Sequence, residues 1–421
     1  MRPTRHALLT ALSPDARALL AAAEDAARAL HVDLWLVGGG VRDLAAGRPL
    51  HDVDLAFEGD RRAYVDAIAV RLPEGTEIER TDRFGTASIH TASDHGGGAR
   101  LDLARLRTER YVAPGALPEV RVAHSIESDL ARRDFTVNAI ALALVRDGAT
   151  VEGDGTDGDD AIYDPFSGLA DLAARRLRVL HDRSFIDDAT RLWRGARTAA
   201  LFDLEPDAHT ARLIEDGARW TEEISGSRLW AEFAYTAGRG RILPTVQRLD
   251  AWGVLRAVHP AFCLTRQSAT ALRRRGPMPG GRLAAVLLAP LAGRDRHAIL
   301  KRFQASSETR ETVEDTACLL DAHTDLDTLI RIERAGPEAL TAARWLDPER
   351  QPALQSALAK WKRTRPWLTA DQLRAEGAPK GPALGDALRG LRRARYLGTL
   401  STPAEARRHV RRVLAGEADW P

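Results

Sequence analysis

Gly38-Gly39 at the end of the apolar run Leu34-Trp35-Leu36-Val37, with Arg42-Asp43 just beyond and Asp52-Val53-Asp54 in a second apolar run, constrain this chain more than any other stretch. The pattern predicts a buried strand, a tight glycine turn, a short helix and a second strand carrying two carboxylates. Glycine has no Cβ, so a phosphate can approach the backbone N–H groups at the helix start. Side chains alternate across a strand, so Asp52 and Asp54 fall on one face with Cα atoms about 6.6 Å apart, close enough to share a divalent cation. Hard carboxylates beside a phosphate cradle suit Mg²⁺. Asp-x-Asp alone also reads as a turn or a solvated strand face, and the glycine turn upstream is what favours the metal.

With 421 residues the chain has ample length for a core and room for roughly two to four domains or an array of helical modules. Cys263 and Cys318 lie far apart with no Cys/His metal spacing nearby. That predicts no disulfide framework, no disulfide-linked partner and no zinc site, and makes a reducing cytoplasm the simplest compartment. Met1-Arg2-Pro3 leads into an Ala-rich amphipathic stretch containing Asp15, Glu24 and Asp25, the pattern of a domain helix and not of a secretory signal. No apolar run is long enough to span a bilayer, so no membrane partner is expected. The 61 basic and 59 acidic residues leave a net charge of +2, which neither demands nor excludes nucleic acid. Their distribution says more. Basic clusters at Arg273-Arg274-Arg275, at 360–365 and from Arg392-Arg393 through Arg412 fit a polyanion-binding tail behind an acidic catalytic head. Each cluster alone reads equally as a solvated arginine-rich helix.

From Val32 to about Arg107, strand-like runs alternate with helical ones: a helix near 60–72, then strands over 86–91 and 100–106 joined by a hairpin-like loop ending at Gly98. Asp102, flanked by Leu101 and Leu103, either presents a third carboxylate to the metal face or is a strand-edge aspartate facing solvent. Residues 128–145 carry helical spacing, with Ser128 or Asp129 as a start signal. The acidic, glycine-rich segment 153–160 reads as a loop, and it lacks the closing glutamate of a calcium loop. Beyond Leu177 nearly everything is helix-patterned, with interruptions at 276–281 and 379–382.

Two further segments carry chemistry. Arg132-Arg133-Asp134, followed by Phe135 and Asn138, sets two planar guanidinium forks suited to triphosphate oxygens beside a carboxylate that can accept from a ribose hydroxyl, all at the front of the predicted helix. Asp188 and Arg191 lie three apart, and on a helix they share one face with Cβ atoms about 5–6 Å apart. An acceptor beside donors matches the edges of cytosine and adenine. Uracil and guanine put a carbonyl where the carboxylate wants a donor, a mismatch of about 1–3 kcal/mol per buried group. Taken singly, these segments also read as surface ion pairs.

Together LVGGGVRDLAAGRPLHDVDLAF, RRDFTVNA and SFIDDATRLWR resemble the motifs of polymerase-β-like nucleotidyltransferases, specifically the bacterial class II tRNA nucleotidyltransferase and poly(A) polymerase family. The resemblance is strong over 32–202 and weaker over 368–413. It implies an α+β fold, with a small nucleotidyltransferase head over 1–145, then an all-helical neck with the base-reading helix over 146–205, a body over 206–300 and a tRNA-binding tail over 301–421. It implies Asp52, Asp54 and Asp102 as catalytic residues, with Mg²⁺ on Asp52 and Asp54. Gly38, Gly39, Arg42, Arg132, Arg133, Asp134, Asn138, Asp188, Arg191 and Arg194 would hold the nucleotide. Gly381, at a helix start, would meet RNA with Arg389, Arg392 and Arg393. Arg107-Thr108-Glu109-Arg110-Tyr111, with 114–118, looks like the family's flexible loop. Where this chain has Asp187 the family usually has glutamate; the position precedes the reader pair, so the change leaves base selection intact and bears only on a helper role of the longer side chain. A phosphohydrolase-like His-Asp module, present in some relatives, has no counterpart.

The implied activity is template-independent addition of C, A or both to the tRNA 3′ end from CTP and ATP, with release of pyrophosphate. A poly(A) polymerase shares every one of these motifs. A non-catalytic RNA-binding protein on the same scaffold is disfavoured by the intact Asp52, Asp54, Arg132 and Asp134. Because the reader pair suits both bases, addition of CCA, of CC or of A alone remains open.

Overall fold

The computed structural model describes residues 2–50, 53–81, 85–91, 98–146, 161–321, 335–349, 351–378 and 380–420. They form two compact units, one of residues 1–236 with 240–260 and one of 237–239 with 261–421.

The first unit opens with α1 (Arg5–Ala11) and α2 (Pro14–Leu30). Ser13 separates them, accepting from the Ala16 amide while Pro14 takes the first helical position, where no amide is needed. There follow β1 (Leu34–Val37), α3 (Gly39–Ala45), β2 (Asp54–Phe57), α4 (Arg61–Ala69), β3 (Thr76–Thr81), β4 (Thr86–Thr91) and β5 (Arg100–Arg105). After β6 (Arg107–Arg110) and β7 (Glu119–Val122), a hairpin of their own, come α5 (Ile126–Ala131), β8 (Ala141–Val145) and β9 (Ile162–Tyr163). The main sheet has the order β3-β4-β5-β2-β1-β8-β9, and only β2 and β5 pair in parallel.

Alternation sorts the side chains. Leu34, Leu36, Leu55, Phe57, Leu101, Leu103, Leu142 and Leu144 enter one core with Leu19, Leu20, Tyr64 and Ile68 of the covering helices. Trp35, Val37, Ala56, Ala141 and Ala143 enter the opposite core with Leu106, Ile126 and Leu130. The helix predicted over 128–145 does not form. Ser125, not Ser128 or Asp129, caps α5, which ends at Ala131; Phe135 is extended and bridges Val179, and Ala141–Val145 is a strand buried along its whole length. A contiguous apolar run suits a buried helix or a buried strand equally, and the vacancy beside β1 decides for the strand. Arg132 is therefore the C-cap of α5 instead of lying at a helix front. Arg107–Arg110, expected in a flexible loop, is β6. Of the loop ending at Gly98 only Gly98 is described, and 153–160 lies outside the described residues.

The chain continues through α6 (Gly168–Ala173), β10 (Arg176–Leu177), α7 (Ser184–Asp187), α8 (Thr190–Phe202), β11 (Glu205–Pro206), α9 (Ala208–Gly217), α10 (Gly226–Gly238), α11 (Ile242–Ala251) and α12 (Val254–Val258). Helix α8 sits directly on Phe135: a Cβ at Gly195 would lie 2.6 Å from its Cζ. The second unit is helical, from α13 (Arg266–Leu272) through α14 (Gly280–Leu288), α15 (Gly293–Arg302), α16 (Ser307–Asp321), α17 (Pro337–Leu346) and α18 (Gln351–Arg363) to α19 (Ala370–Ala375), α20 (Pro382–Leu397) and α21 (Pro403–Leu414). Leu368, Leu373, Leu391 and Val410 gather its last small core. Among the described residues no helix is long and apolar enough to cross a membrane.

Gly195→Ala forces a methyl group into the Phe135 ring. It is expected to cost about 1–3 kcal/mol, read as a lower denaturation midpoint, and an unchanged midpoint would contradict the seating of α8.

Candidate nucleotide site

Parallel pairing of β2 and β5 sets Asp54 directly opposite Asp102. Since Leu55 and Leu103 enter the helix-covered core, both carboxylates take the other sheet face, on strands about 4.8 Å apart. Asp102 is fixed by Ser88 Oγ and by Arg100, whose Nε and Nη2 donate at 3.1 and 3.0 Å. Asp52 lies outside the described residues. Among those described, no group of three metal-ligating side chains gathers. Leu36 pairs with Leu55, so the same register carries Val37 to Asp54 and starts the glycine turn beside the acid pair.

Gly38 has φ 69°, and its N–H donates to Ile140 O. A Cβ there would lie 2.6 Å from Arg133 Nη1, so glycine both adopts the left-handed turn and admits the guanidinium. Helix α3 begins at Gly39 without a side-chain cap, which leaves first-turn amides of the kind a phosphate takes up. From α3, Arg42 donates through Nε and Nη2 to Asp43 Oδ1 and through Nη1 to Asn138 Oδ1.

Two buried carboxylates organise the other arginines. Asp129 is 1% exposed. Its Oδ1 accepts from Arg132 Nε (3.0 Å) and Nη2 (2.8 Å) and from the Arg107 amide (3.2 Å), and its Oδ2 from Arg133 Nη2 (2.9 Å). Burial alone would raise this carboxyl, but Arg133 and Arg132 outweigh it and hold it below the usual range. Glu109 of β6 accepts from Arg132 Nη1 (2.7 Å), Arg107 Nε (3.1 Å) and the Tyr111 hydroxyl (3.0 Å). Burial and the charge of Glu109 push that hydroxyl up to about 12, so it stays a donor.

Asp134, 4% exposed, accepts at Oδ1 from the Phe135 amide (2.8 Å) and Asn138 Nδ2 (2.9 Å), and at Oδ2 from Arg194 Nε (2.7 Å). Burial opposes its charge, but Arg194 and the Asn138 hydrogen bond prevail and hold it far below the ordinary carboxylate value. Arg42, Asn138, Asp134 and Arg194 thus form one continuous chain from the glycine turn to α8.

The expected reader pair is built differently from its prediction. α7 ends at Asp187 and Asp188 is extended (φ −147°, ψ 98°), so Asp188 and Arg191 share no helical face. Asp188 Oδ1 accepts from the Thr190 amide (3.0 Å), Thr190 Oγ1 (2.7 Å) and Arg228 Nη2 (2.8 Å). Arg191 instead donates to Ser184 Oγ (2.9 Å) and Arg132 O (2.9 Å) and meets His181 Nε2 at 3.3 Å. Burial and the charge of Arg191 lower the His181 pKa, which suits a neutral ring accepting at Nε2. Arg228 also donates to Gly115 O (2.9 Å), tying Asp188 to the loop between β6 and β7. Nothing in the sequence pattern picked out Arg228, and Glu109 stood out only as part of the 107–111 loop segment. Asp129 carried a signal, its spacing of three and four from two arginines, and was read as a helix cap.

In the second unit, Gly381 (φ 90°) precedes Pro382 at the start of α20. Arg389 pairs with Asp386, and Arg393 is half-buried. Arg392 donates to Thr364 O and Trp361 O, both at 3.0 Å, and lies 3.4 Å from the Trp361 ring centroid, so its guanidinium is committed to the end of α18.

Residues 34–178 match the family model described as the poly A polymerase head domain. The A-adding tRNA nucleotidyltransferase of Geobacter sulfurreducens is 33% identical over 237 residues, 56% of this chain, but this spans only 25% of that protein's length. The CC-adding tRNA nucleotidyltransferase of Deinococcus radiodurans is 32% identical over 382 residues, covering 91% of this chain and 90% of that one. Among solved structures, a CCA-adding enzyme in complex with ATP has the same fold, with a TM-score of 0.74 at 21% identity over 98% of each chain.

Asp134→Asn removes an ion pair whose arginine is half exposed, so the expected loss is about 1–3 kcal/mol. Its pH dependence has a definite sign. With the folded-state pKa depressed, the stabilisation is complete above about pH 4 and lost as pH falls further. The wild-type melting temperature should therefore fall more steeply than that of Asp134→Asn below about pH 4, and parallel curves would contradict the assignment.

Proposed function

The chain belongs to the tRNA nucleotidyltransferase and poly(A) polymerase family, and from that premise we propose that it is an enzyme adding C, A or both to tRNA 3′ ends, using CTP and ATP and releasing pyrophosphate. The observation that carries the proposal is the register of Asp54 against Asp102 beside the Gly38 turn, with Arg42 and Arg133 converging on that turn. Similarity along nine-tenths of a CC-adding enzyme supports a tRNA substrate over a general RNA.

Hard oxygen donors on one sheet face fit a divalent cation, and we assign Mg²⁺ to Asp54 with Asp52, flanked by Asp102. When bound, Mg²⁺ supplies charge stabilisation for the attacking and leaving oxygens of an in-line displacement. The chain's own residues do the positioning. Arg42, Arg132 and Arg133 hold phosphate oxygens against the uncapped start of α3. Asp134 stays ionised, and Oδ2 keeps a lone pair beyond its bond to Arg194 to accept from a ribose hydroxyl. Asp188 Oδ2, without a hydrogen bond among the described residues, accepts from the N4 amino group of cytosine or the N6 amino group of adenine. The basic second unit, with Gly381, Arg389 and Arg393, holds the RNA. A cytoplasmic setting belongs to the same proposal.

The test offers tRNA ending at the discriminator base, at C or at CC, with CTP or ATP singly, and sizes the products. Defined additions of up to three nucleotides are expected, whereas long adenosine tails on unrelated RNA would favour the poly(A) polymerase. Asp54→Asn is expected to reduce addition by about a thousand-fold or more, several kcal/mol of transition-state stabilisation, with tRNA affinity retained. Full activity in that variant would overturn the assignment. Asp188→Ala is expected to raise use of UTP and GTP relative to CTP and ATP, and unchanged ratios would make Asp188 a purely structural partner of Arg228.

A further inference from the structure

Phe202 is the last residue of α8, where Asp203 turns the chain into the left-handed region. Two arginines from the other side of the site converge on its half-buried ring. The Arg42 guanidinium carbon lies 4.5 Å from the ring centroid and that of Arg48 5.2 Å. Arg48 also donates to Leu201 O at 3.2 Å, one of the carbonyls that a helix end leaves unpaired. The end of α8 thereby grips the chain at two points, Arg42 within α3 and Arg48 just beyond it.

Arg42 has five N–H donors. Among the described residues three are used, two on Asp43 Oδ1 and one on Asn138 Oδ1, and the remaining two lie on Nη1 and Nη2. Nη2 sits over Gly39, 3.3 Å from where a Cβ would be. A carboxylate in the place of Phe202 would claim these donors and discharge the guanidinium. An aromatic face attracts the cation through its quadrupole and is a far weaker N–H acceptor than a carboxylate. The ring can therefore fix the plane of Arg42 while Nη2 stays over the glycine turn.

We propose that Phe202 is a positioning residue for the phosphate end of the nucleotide site, acting through Arg42 and steadied by Arg48. The inference rests on the nucleotide-transfer reading and deepens it: α8 sets the ribose end through Arg194 on Asp134 and the triphosphate end through Phe202.

The test compares wild type, Phe202→Tyr and Phe202→Leu as full chains. It measures the Kd for inorganic tripolyphosphate by calorimetry, KM and kcat for CTP on tRNA lacking its terminal nucleotides, the relative use of the four nucleotides, and the melting temperature. Phe202→Leu is expected to raise the tripolyphosphate Kd and the KM for CTP about five-fold, with kcat within about two-fold and base preference unchanged, while Phe202→Tyr matches wild type. A role in packing alone would let leucine bind tripolyphosphate like wild type, or would make both variants lose binding in step with their melting temperatures, and either result overturns the proposal. Phe202→Met, which fills the same space with a flexible apolar chain, replaces leucine if that variant does not fold. Tripolyphosphate binding needs no catalysis. A wild-type protein that binds it but adds no nucleotide would sink the enzymatic reading alone, and a Phe202→Leu variant that binds and adds normally would sink only the role of Phe202.

Discussion

Carboxylates that are buried and yet kept charged hold the proposed nucleotide site together. An isolated ion in such a place costs several kcal/mol, so Asp129 and Asp134 persist only because arginine forks and amides surround them. The converse matters more for chemistry. The guanidinium groups of Arg132, Arg133 and Arg194 are held in place by Asp129, Glu109 and Asp134 before any ligand arrives. Under the proposed function the phosphate-binding groups need little reorganisation when the triphosphate enters, the condition under which fixed charge accelerates a displacement most.

Helix α8 carries that order across the site. Near its start Arg191 reaches Arg132 O, one turn on Arg194 holds Asp134, and at its end Phe202 faces Arg42 and Arg48. Thirteen residues span about 20 Å, so a single rigid element reaches Asp188 through Thr190, Asp134 through Arg194 and Arg42 through Phe202. Gly195 in its middle lets it lie flat on Phe135, which ties the helix to the segment that also bears Asp134 and Asn138. The β6–β7 hairpin joins from another side, through Glu109 on Arg132 and Gly115 O on Arg228. A shift of that hairpin would reach Asp188 through one guanidinium.

How much of this was legible in the sequence follows from what is local. The glycine turn with the Asp-x-Asp pair stood out by its own spacing, whereas Asp102 and the Arg132-to-Asn138 segment also read as solvated groups, and the family resemblance joined them and extended the reading to the fold. The facing of Asp54 and Asp102 was not legible, because it depends on a parallel pairing between distant strands. Residues 141–145 were misread because a run buried on both faces carries no period to separate strand from helix. Asp188 and Arg191 were misread because spacing assumed an unbroken helix, whereas Asp188 turns the chain by taking the Thr190 amide on its own carboxylate, a local competition with helical pairing. Arg228 and Phe202 matter through partners far away in sequence, and no local pattern singles them out; the hold of Glu109 on Arg132 is likewise long-range.

The most direct measurement is a crystal structure of the protein with Mg²⁺ and a non-reactive CTP analogue. The result expected is a triphosphate lying across the Gly38–Gly39 turn against Arg133 and Arg42, a cation on Asp54, and the cytosine amino group on Asp188 Oδ2. A nucleotide bound elsewhere, or one whose phosphates leave Arg42 and Arg133 untouched, would contradict the assignment of this site.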